Sequence, residues 1–273
     1  MLTVADSTLP TSKTPFAPAL TLLAVVYASV ATPLAAENAP PPPMVWTTSL
    51  QTGFADTFQL TLGGTFGEGP AWQNRVTTGL ANVFRAGDSL SVYGADSLDT
   101  PSHVNNWQAG IGYKALVLKR RNHSLAIGSG LQHWRFPAVK TGTHDWLIPG
   151  SSVYQTRVYR FPFTVTNDSW TILSSPLPVG SLLHTQVWLQ HNLFRREHLK
   201  VAFRHGPAHT YSWGFWGTNG NRVLRYQTML AVTYKDLLIE GGYRKQWGLE
   251  PGIHNNAYWQ FALTRTFAAS FSR

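Results

Sequence analysis

The chain has 273 residues, 13% of them charged and 13% aromatic, and a formal net charge of +9. The charged share is about half that of an average soluble domain, and the absence of cysteine excludes disulfides and thiolate metal sites. A positive balance raises nucleic acid as a partner, but the chain has no basic helix and no Lys/Arg run longer than three, so we expect no nucleic-acid binding.

The N-terminal 36 residues have the pattern of an export signal. Residues 17–31 form an apolar stretch that is too short for a membrane-spanning helix; Lys13 precedes it, and Ala35 and Ala36 follow it. This order of basic, apolar and small residues predicts a signal peptide over residues 1–36, with an uncleaved anchor as the alternative. Consecutive prolines at 40–43 predict a stiff Pro-rich periplasmic segment over residues 37–55.

Side chains alternate between apolar and polar from residue 56 onward. Leu224, Tyr226 and Leu230, for example, alternate with Arg225 and Gln227. Because successive side chains of a strand point to opposite faces, this pattern predicts strands with one apolar and one polar face. The predicted strands cover residues 56–66, 70–84, 89–96, 104–118, 124–136, 153–166, 169–175, 181–194, 199–206, 222–234, 237–247 and 256–267.

The connections between these strands alternate between short and long. Tight turns are predicted at 85–88, 119–123, 167–168, 195–198 and 235–236, and longer loops at 97–103, 137–152, 176–180, 207–221 and 248–255. Short periplasmic turns and longer external loops are typical of membrane barrels. The pattern therefore predicts an all-β fold: a closed antiparallel transmembrane β-barrel of about twelve strands (range ten to fourteen) over residues 56–273. A soluble β-sandwich is the alternative, but it has no reason to sort its connections in this way. A soluble barrel with its apolar face inside is disfavoured by the low charge.

The apolar face carries aromatic residues near the strand ends, where membrane barrels have interfacial girdles. The last segment, AYWQFALTRTF, resembles the C-terminal strand of Gram-negative outer-membrane β-barrels, although six residues follow Phe267. The resemblance covers residues 44–273 and is one of pattern, so it indicates the superfamily and no particular family. It implies a bacterial outer-membrane location, contact with lipid and lipopolysaccharide, and assembly by the barrel-assembly machinery. The predicted girdle residues are Trp72, Phe84, Tyr159, Phe161, Tyr234, Trp247, Trp259 and Phe267.

The opposite face of the predicted strands is basic. It carries seven cations against one acid, Glu240, because the other acids such as Asp145 and Asp168 are predicted in loops and turns. Rings of Arg and Lys favour anions in pores, so we expect a narrow channel that favours small anionic solutes. The alternative is a closed barrel filled by these side chains. The predicted lumen cations are Arg75, Lys114, Arg160, Lys200, Arg204, Arg225 and Arg244.

Catalytic chemistry has weaker support. Barrels resembling outer-membrane phospholipase A and lipid A deacylases use a His-x-Ser pair on one strand face, and no histidine here has Ser two positions later. A lipid A or phospholipid hydrolase therefore remains an alternative to the channel, as does a purely structural barrel. We expect no cofactor and no metal.

One external loop is a further candidate site. Gly206-Pro207 is expected to end a strand, which places His205, His209, Trp213 and Trp216 at the edge of or within an aromatic loop over residues 207–221. The two histidines suggest a metal clip, but the strand break between them makes ligation by both the weaker interpretation. The aromatic rings could line an entrance or bind sugar by stacking.

Overall fold

The computed structural model describes residues 42–56, 69–100, 105–137, 143–251 and 253–271. Within these residues, twelve antiparallel strands form a closed barrel in which each strand pairs with its neighbours in sequence, and β1 pairs with β12. The predicted fold class and strand number are confirmed. The strands are β1 Met44–Ala55, β2 Ala71–Ala81, β3 Ser89–Asp99, β4 Asn105–Lys119, β5 Ser124–Phe136, β6 Thr143–Val158, β7 Phe161–Ser174, β8 Ser181–Arg196, β9 Leu199–Phe215, β10 Thr218–Tyr234, β11 Leu237–Gly248 and β12 Asn256–Phe271.

The two ends of the barrel differ. At one end, here called the turn end, β1 begins, β12 finishes, and the connections 120–123, 159–160, 197–198 and 235–236 are tight. The opposite end, here called the loop end, carries longer connections such as 175–180 and 249–255. Two connections depart from this pattern. The β2–β3 connection 82–88 lies at the turn end but is as long as 249–255, and the β9–β10 connection at the loop end is a tight turn at Trp216 and Gly217.

The first strand lies earlier than the alternation predicts. Residues 44–55, predicted as part of the Pro-rich segment, form β1 and pair with both β12 and β2. The strand begins directly after the last proline, and its Trp46 and Leu50 are exposed on the outer face. The barrel thus starts at Met44, whereas most of the predicted strand 56–66, including Phe58, and the predicted signal peptide lie outside the described residues.

The boundary between β6 and β7 also differs from the prediction. The turn lies at Tyr159 and Arg160, where Tyr159 adopts a positive φ of 60°, and the predicted loop 137–152 contains the first part of β6. Asn167 and Asp168 were predicted turn formers, but they lie inside β7. The Asn167 side chain is hydrogen-bonded across the sheet on both sides: its amide donates to Ser152 and its oxygen accepts from Thr185. These cross-strand bonds satisfy the amide within the sheet and remove its preference for a turn.

Large apolar side chains cover the outer wall. Seven of the eight predicted girdle residues are exposed there or at the turns, and Phe161 is half-buried. Buried side chains such as Phe136, Leu147, Leu182 and Phe215 are instead concentrated inside the loop end. None of the described residues belongs to a helix long and apolar enough to cross a membrane.

Candidate functional site

Alternate residues of each strand point into the barrel, and β10 shows this most clearly. Its Leu224, Tyr226 and Leu230 are exposed on the outside, whereas Arg225 and Gln227 are buried on the inside. Residues paired across an antiparallel ladder point to the same side, so the strand register extends this assignment around the barrel.

Three arginines and one glutamate meet at a cavity of about 430 Å³ inside the barrel, here called the arginine cavity. Arg75 comes from β2, Arg204 from β9, and Arg244 and Glu240 from β11. Arg204 donates a hydrogen bond to Glu240 in an ion pair, and its guanidinium lies 5.3 Å from the centroid of the Trp188 ring. Asp96 of β3 also borders the cavity, but it pairs with the exposed Asn74 in the outward phase of the sheet. Among the inward-facing charges of this wall, cations therefore outnumber acids by three to one.

Two of these arginines retain donors without a partner. The Nε atoms of Arg204 and Arg244 are buried and make no hydrogen bond within the described part of the chain. Arg244 otherwise donates through Nη1 to the Tyr258 hydroxyl at 3.5 Å. A buried donor left unpaired destabilises the protein by about 1–3 kcal/mol. An anion that accepts hydrogen bonds from these Nε–H groups would remove this penalty when it binds.

A second cavity of about 410 Å³, here called the aromatic cavity, shares Arg75, Gln108 and Phe136 with the first. Tyr93, Trp170 and Trp216 contribute rings to its wall, and Lys114 and Asp168 contribute opposite charges. The guanidinium of Arg75 lies 4.4 Å from the centroid of the Tyr93 ring. The two cavities therefore meet at a cation that is held over an aromatic face.

An aromatic cluster narrows the lumen above these cavities. Its members pack together at the loop end, and the tip of the β9–β10 hairpin folds inward to join them. Trp216 holds this tip in place, because its indole Nε1 donates to Asp145 Oδ2 at 2.9 Å and its backbone N–H donates to the Pro178 carbonyl at 3.0 Å. This aromatic cap comprises Trp134, Phe136, Leu147, Ile172, Leu182 and Phe215, with Trp170 and Trp216 packed against them.

Known structures share this architecture. No protein-family profile and no curated protein matches the chain. LpxR from Salmonella typhimurium matches with a TM-score of 0.51 and 10% identity, over 80% of this chain and 100% of that one. An outer membrane channel from Pseudomonas putida F1 matches with a TM-score of 0.51 and 11% identity, over 86% of this chain and 99% of that one. The chain has the outer-membrane β-barrel fold. Sequence identities of 10% and 11% support a shared fold and nothing more specific.

Most of the predicted lumen residues lie on the inner wall of the barrel. Arg160 does not, because the β6–β7 turn falls at Tyr159 and Arg160 and places it at the turn end, outside the lumen. Lys200 is in the inward phase but is exposed beside the β8–β9 turn. The predicted residues on the inner wall are Arg75, Lys114, Arg204, Arg225, Arg244 and Glu240.

Arg225 is more enclosed than the other lumen cations. Only 4% of its surface is exposed, and its Nε donates to Gln246 Oε1 at 2.8 Å. It belongs to a polar layer between β10 and β11 that also contains Gln227. Its contribution to the lumen is therefore structural support at the barrel wall as well as charge.

Three inward acids were not predicted from the sequence. Asp99, in the predicted loop 97–103, is buried at the end of β3 in the phase of Tyr93. Asp168 lines the aromatic cavity from β7, and Asp145 lies buried in β6 at the cap.

The sequence placed Asp145 and Asp168 in connections because the β6 and β7 boundaries were displaced. The alternation of Phe161, Phe163 and Val165 sets the outward phase of β7. Continuing this alternation beyond Val165 makes Asp168 point into the barrel.

The predicted loop over residues 207–221 is wrong, because most of this segment belongs to strands β9 and β10. His205, His209 and Trp213 lie on β9 and face the outer wall, whereas Trp216 is in the turn and points inward. Gly206-Pro207 does not end the strand. Pairing with β8 pauses opposite these two residues and resumes in the same register, so the missing proline N–H is tolerated without a break.

On the outer wall, His205 is joined to two other side chains. Its Nδ1 lies 2.7 Å from the Tyr226 hydroxyl and its Nε2 lies 3.1 Å from His191 Nε2. The His191 and His205 ring planes differ by 9°, with centroids 5.2 Å apart, which fits an edge-to-edge hydrogen bond between imidazoles. The described residues contain no group of three or more His, Asp or Glu side chains that could hold a metal ion.

Proposed function

We propose that this chain is a narrow outer-membrane channel that passes small anionic solutes. The observation that carries the proposal is the arginine cavity, in which Arg75, Arg204 and Arg244 face one inward-pointing acid, Glu240. Charge of one sign inside a low-dielectric wall focuses the potential on a solute in the lumen. The unpaired Nε–H groups of Arg204 and Arg244 supply donors that an anion satisfies and a cation does not.

The outer surface fits the proposed location. Exposed apolar side chains such as Leu50, Val92 and Leu230 lie between aromatic residues at both ends of the barrel, as lipid requires. With the turn end in the periplasm, lipid and lipopolysaccharide surround the wall and the barrel-assembly machinery inserts it. Heat-modifiable migration of the full chain from an outer-membrane fraction tests this location; recovery in a soluble fraction would refute it.

Passage through the barrel requires the aromatic cap to move. The cap narrows the loop end, and its hairpin tip is held by the Trp216–Asp145 hydrogen bond. The tip is a tight turn outside the paired strands, so it can leave the cap when these polar contacts and the packing of Trp216 against Trp134 and Phe136 are broken. The channel is therefore proposed to alternate between a capped and an uncapped state.

Ion selectivity after neutralising the arginine cavity tests the proposed function. The variant with Arg75, Arg204 and Arg244 all changed to Gln keeps the barrel wall and removes three cations. We expect its preference for anions over cations to fall or reverse in planar bilayers. Arg160→Gln is the matched control, because this arginine lies in a turn outside the lumen. Unchanged selectivity in the triple variant would refute the lumen assignment.

The hydrolase and the purely structural barrel remain the alternative functions. Among the described residues, the histidines hydrogen-bonded to hydroxyl groups use Thr or Tyr partners. These pairs are His184 with Thr210 inside the barrel, His205 with Tyr226 outside it, and His123 with Tyr154 and Thr156 near the turn end. Complete absence of current from correctly folded protein would remove the channel, and release of fatty acid from added phospholipid or lipid A would then establish the hydrolase.

A further inference from the structure

We infer that the aromatic cavity binds a cyclic sugar acid on its way through the barrel. The inference rests on the proposed channel function and names the class of solute. A sugar ring has an apolar face that stacks on aromatic rings and a rim of hydroxyl groups, and a sugar acid adds one carboxylate. The cavity wall offers a partner for each of these three features.

Aromatic rings provide the stacking surface. Trp170 and Trp216 line the cavity and are only half-buried, whereas Trp134 behind them is 8% exposed and packs against both. In the capped state, the buried ring fixes the positions of the two accessible ones. Rigid aromatic faces of this kind suit a flat apolar surface of a small solute.

Polar side chains surround the rings. Gln132 accepts a hydrogen bond from the Trp134 indole at 3.2 Å, which leaves its amide N–H groups as the donors for a ligand. Gln108 and Ser91 lie in the same wall, and Asp168 offers acceptors for hydroxyl groups. A plain aromatic acid would cover these groups without pairing them, and an unpaired buried polar group weakens binding. The wall therefore favours a hydroxylated ring.

Two cations can receive the carboxylate. Lys114 lies in the wall of the aromatic cavity, and Arg75 lies in the walls of both cavities. The planar guanidinium of Arg75 can pair with a carboxylate through two parallel hydrogen bonds. A solute that stacks in the aromatic cavity can therefore present its carboxylate toward the arginine cavity, which joins the two sites into one path.

The wall of the aromatic cavity has room for a ring at Gly112. A Cβ atom built there would meet only the Ser129 carbonyl oxygen at 3.7 Å and Ser91 Oγ at 3.9 Å, both ordinary contact distances. A larger side chain at this position would extend into the cavity without displacing backbone. Gly94 is the matched control, because it is exposed on the outer wall and a Cβ there meets nothing within 4 Å.

Calorimetric titration of the full detergent-solubilised protein with D-glucuronate tests the inference. We expect binding by the wild type, binding at least about tenfold weaker for D-glucose and for benzoate, and a similar loss for Arg75→Gln, since a hydrogen bond to a charged group contributes about 1.5–3 kcal/mol. Gly112→Leu should lose glucuronate binding by a similar factor, and Gly94→Leu should retain it.

Three results would overturn this inference: no glucuronate binding, benzoate binding as tight as glucuronate binding, or the same affinity in Gly112→Leu and Gly94→Leu. Bilayer recordings separate this failure from failure of the channel. Anion-selective current without glucuronate binding removes the sugar acid and keeps the channel. Glucuronate binding without current removes the channel and keeps the binding site.

Discussion

Arg204 and Glu240 provide opposite tests of the arginine cavity from a single ion pair. Changing Arg204 to Gln leaves two inward cations against one inward acid in the wall, whereas changing Glu240 to Gln leaves three inward cations with no inward acid. A monovalent ion about 6 Å from one wall charge interacts with it by about 0.7 kcal/mol in water-like surroundings. Chloride and potassium respond with opposite signs, so the two energies add to about 1.4 kcal/mol. This sum corresponds to a change of about tenfold in the permeability ratio of chloride to potassium.

The assay is the reversal potential of single channels in planar bilayers under a KCl gradient. Arg204→Gln should lower the permeability ratio of chloride to potassium by about tenfold, and Glu240→Gln should raise it by about the same factor. Raising the salt concentration should shrink both shifts, because screening shortens the range of each charge. Shifts of the same sign in the two variants would refute the argument, since they would report a distorted barrel instead of a changed wall charge.

Three further predictions concern the cap, a close backbone contact and the turn end. Trp216→Ala removes the indole bond to Asp145, so single-channel recordings should show more frequent openings; unchanged gating would contradict a cap held by this bond. Gly206→Ala puts a Cβ 2.1 Å from a β8 carbonyl oxygen, so the temperature at which the folded gel band is lost should fall, with a destabilisation of about 1–3 kcal/mol. The hydrogen bond from Arg265 holds the pKa of the Asp236 carboxyl below its ordinary value. The pair therefore stabilises the fold above the ordinary aspartate pKa and ceases to do so as pH falls through the lowered value. In Arg265→Gln, NMR titration should find the Asp236 pKa raised, and an unmoved pKa would exclude the pair as its cause.

The C-terminal strands are the part of the fold that the sequence predicts best. The predicted segments 222–234, 237–247 and 256–267 lie within or almost coincide with β10, β11 and β12. Alternation is unbroken there, and the tight turn at Lys235 and Asp236 fixes the pairing of the first two strands. The inward phase of Arg225, Arg244 and Glu240 follows directly, because period two assigns every other residue once one face is known.

Other regions contain residues whose usual local preference is overridden by the sheet. Gly206 and Pro207 normally interrupt a strand, yet β9 continues because the ladder to β8 pauses there and recovers its register. Asn167 favours turns in isolation but is satisfied by cross-strand partners inside β7. These outcomes depend on neighbouring strands distant in sequence, so local patterns cannot reveal them.

The aromatic cap could not be predicted from the rule that places aromatic residues outside. Trp134 and Phe136 break this rule, because they point inward and are buried. They are stable inside because the β9–β10 tip brings Phe215 and Trp216 against them. Contacts between β5 and this distant hairpin exist only in the closed barrel, so both the cap and the cavity beneath it were found in the structure.

The sign of the reversal potential of the unmodified protein tests the central claim most directly. Full chain reconstituted in a planar bilayer with a KCl gradient should pass current in discrete steps, with a reversal potential of the sign set by chloride. A reversal potential of the sign set by potassium, or a heat-modifiable folded barrel that passes no current, would contradict an anion-favouring channel built on Arg75, Arg204 and Arg244.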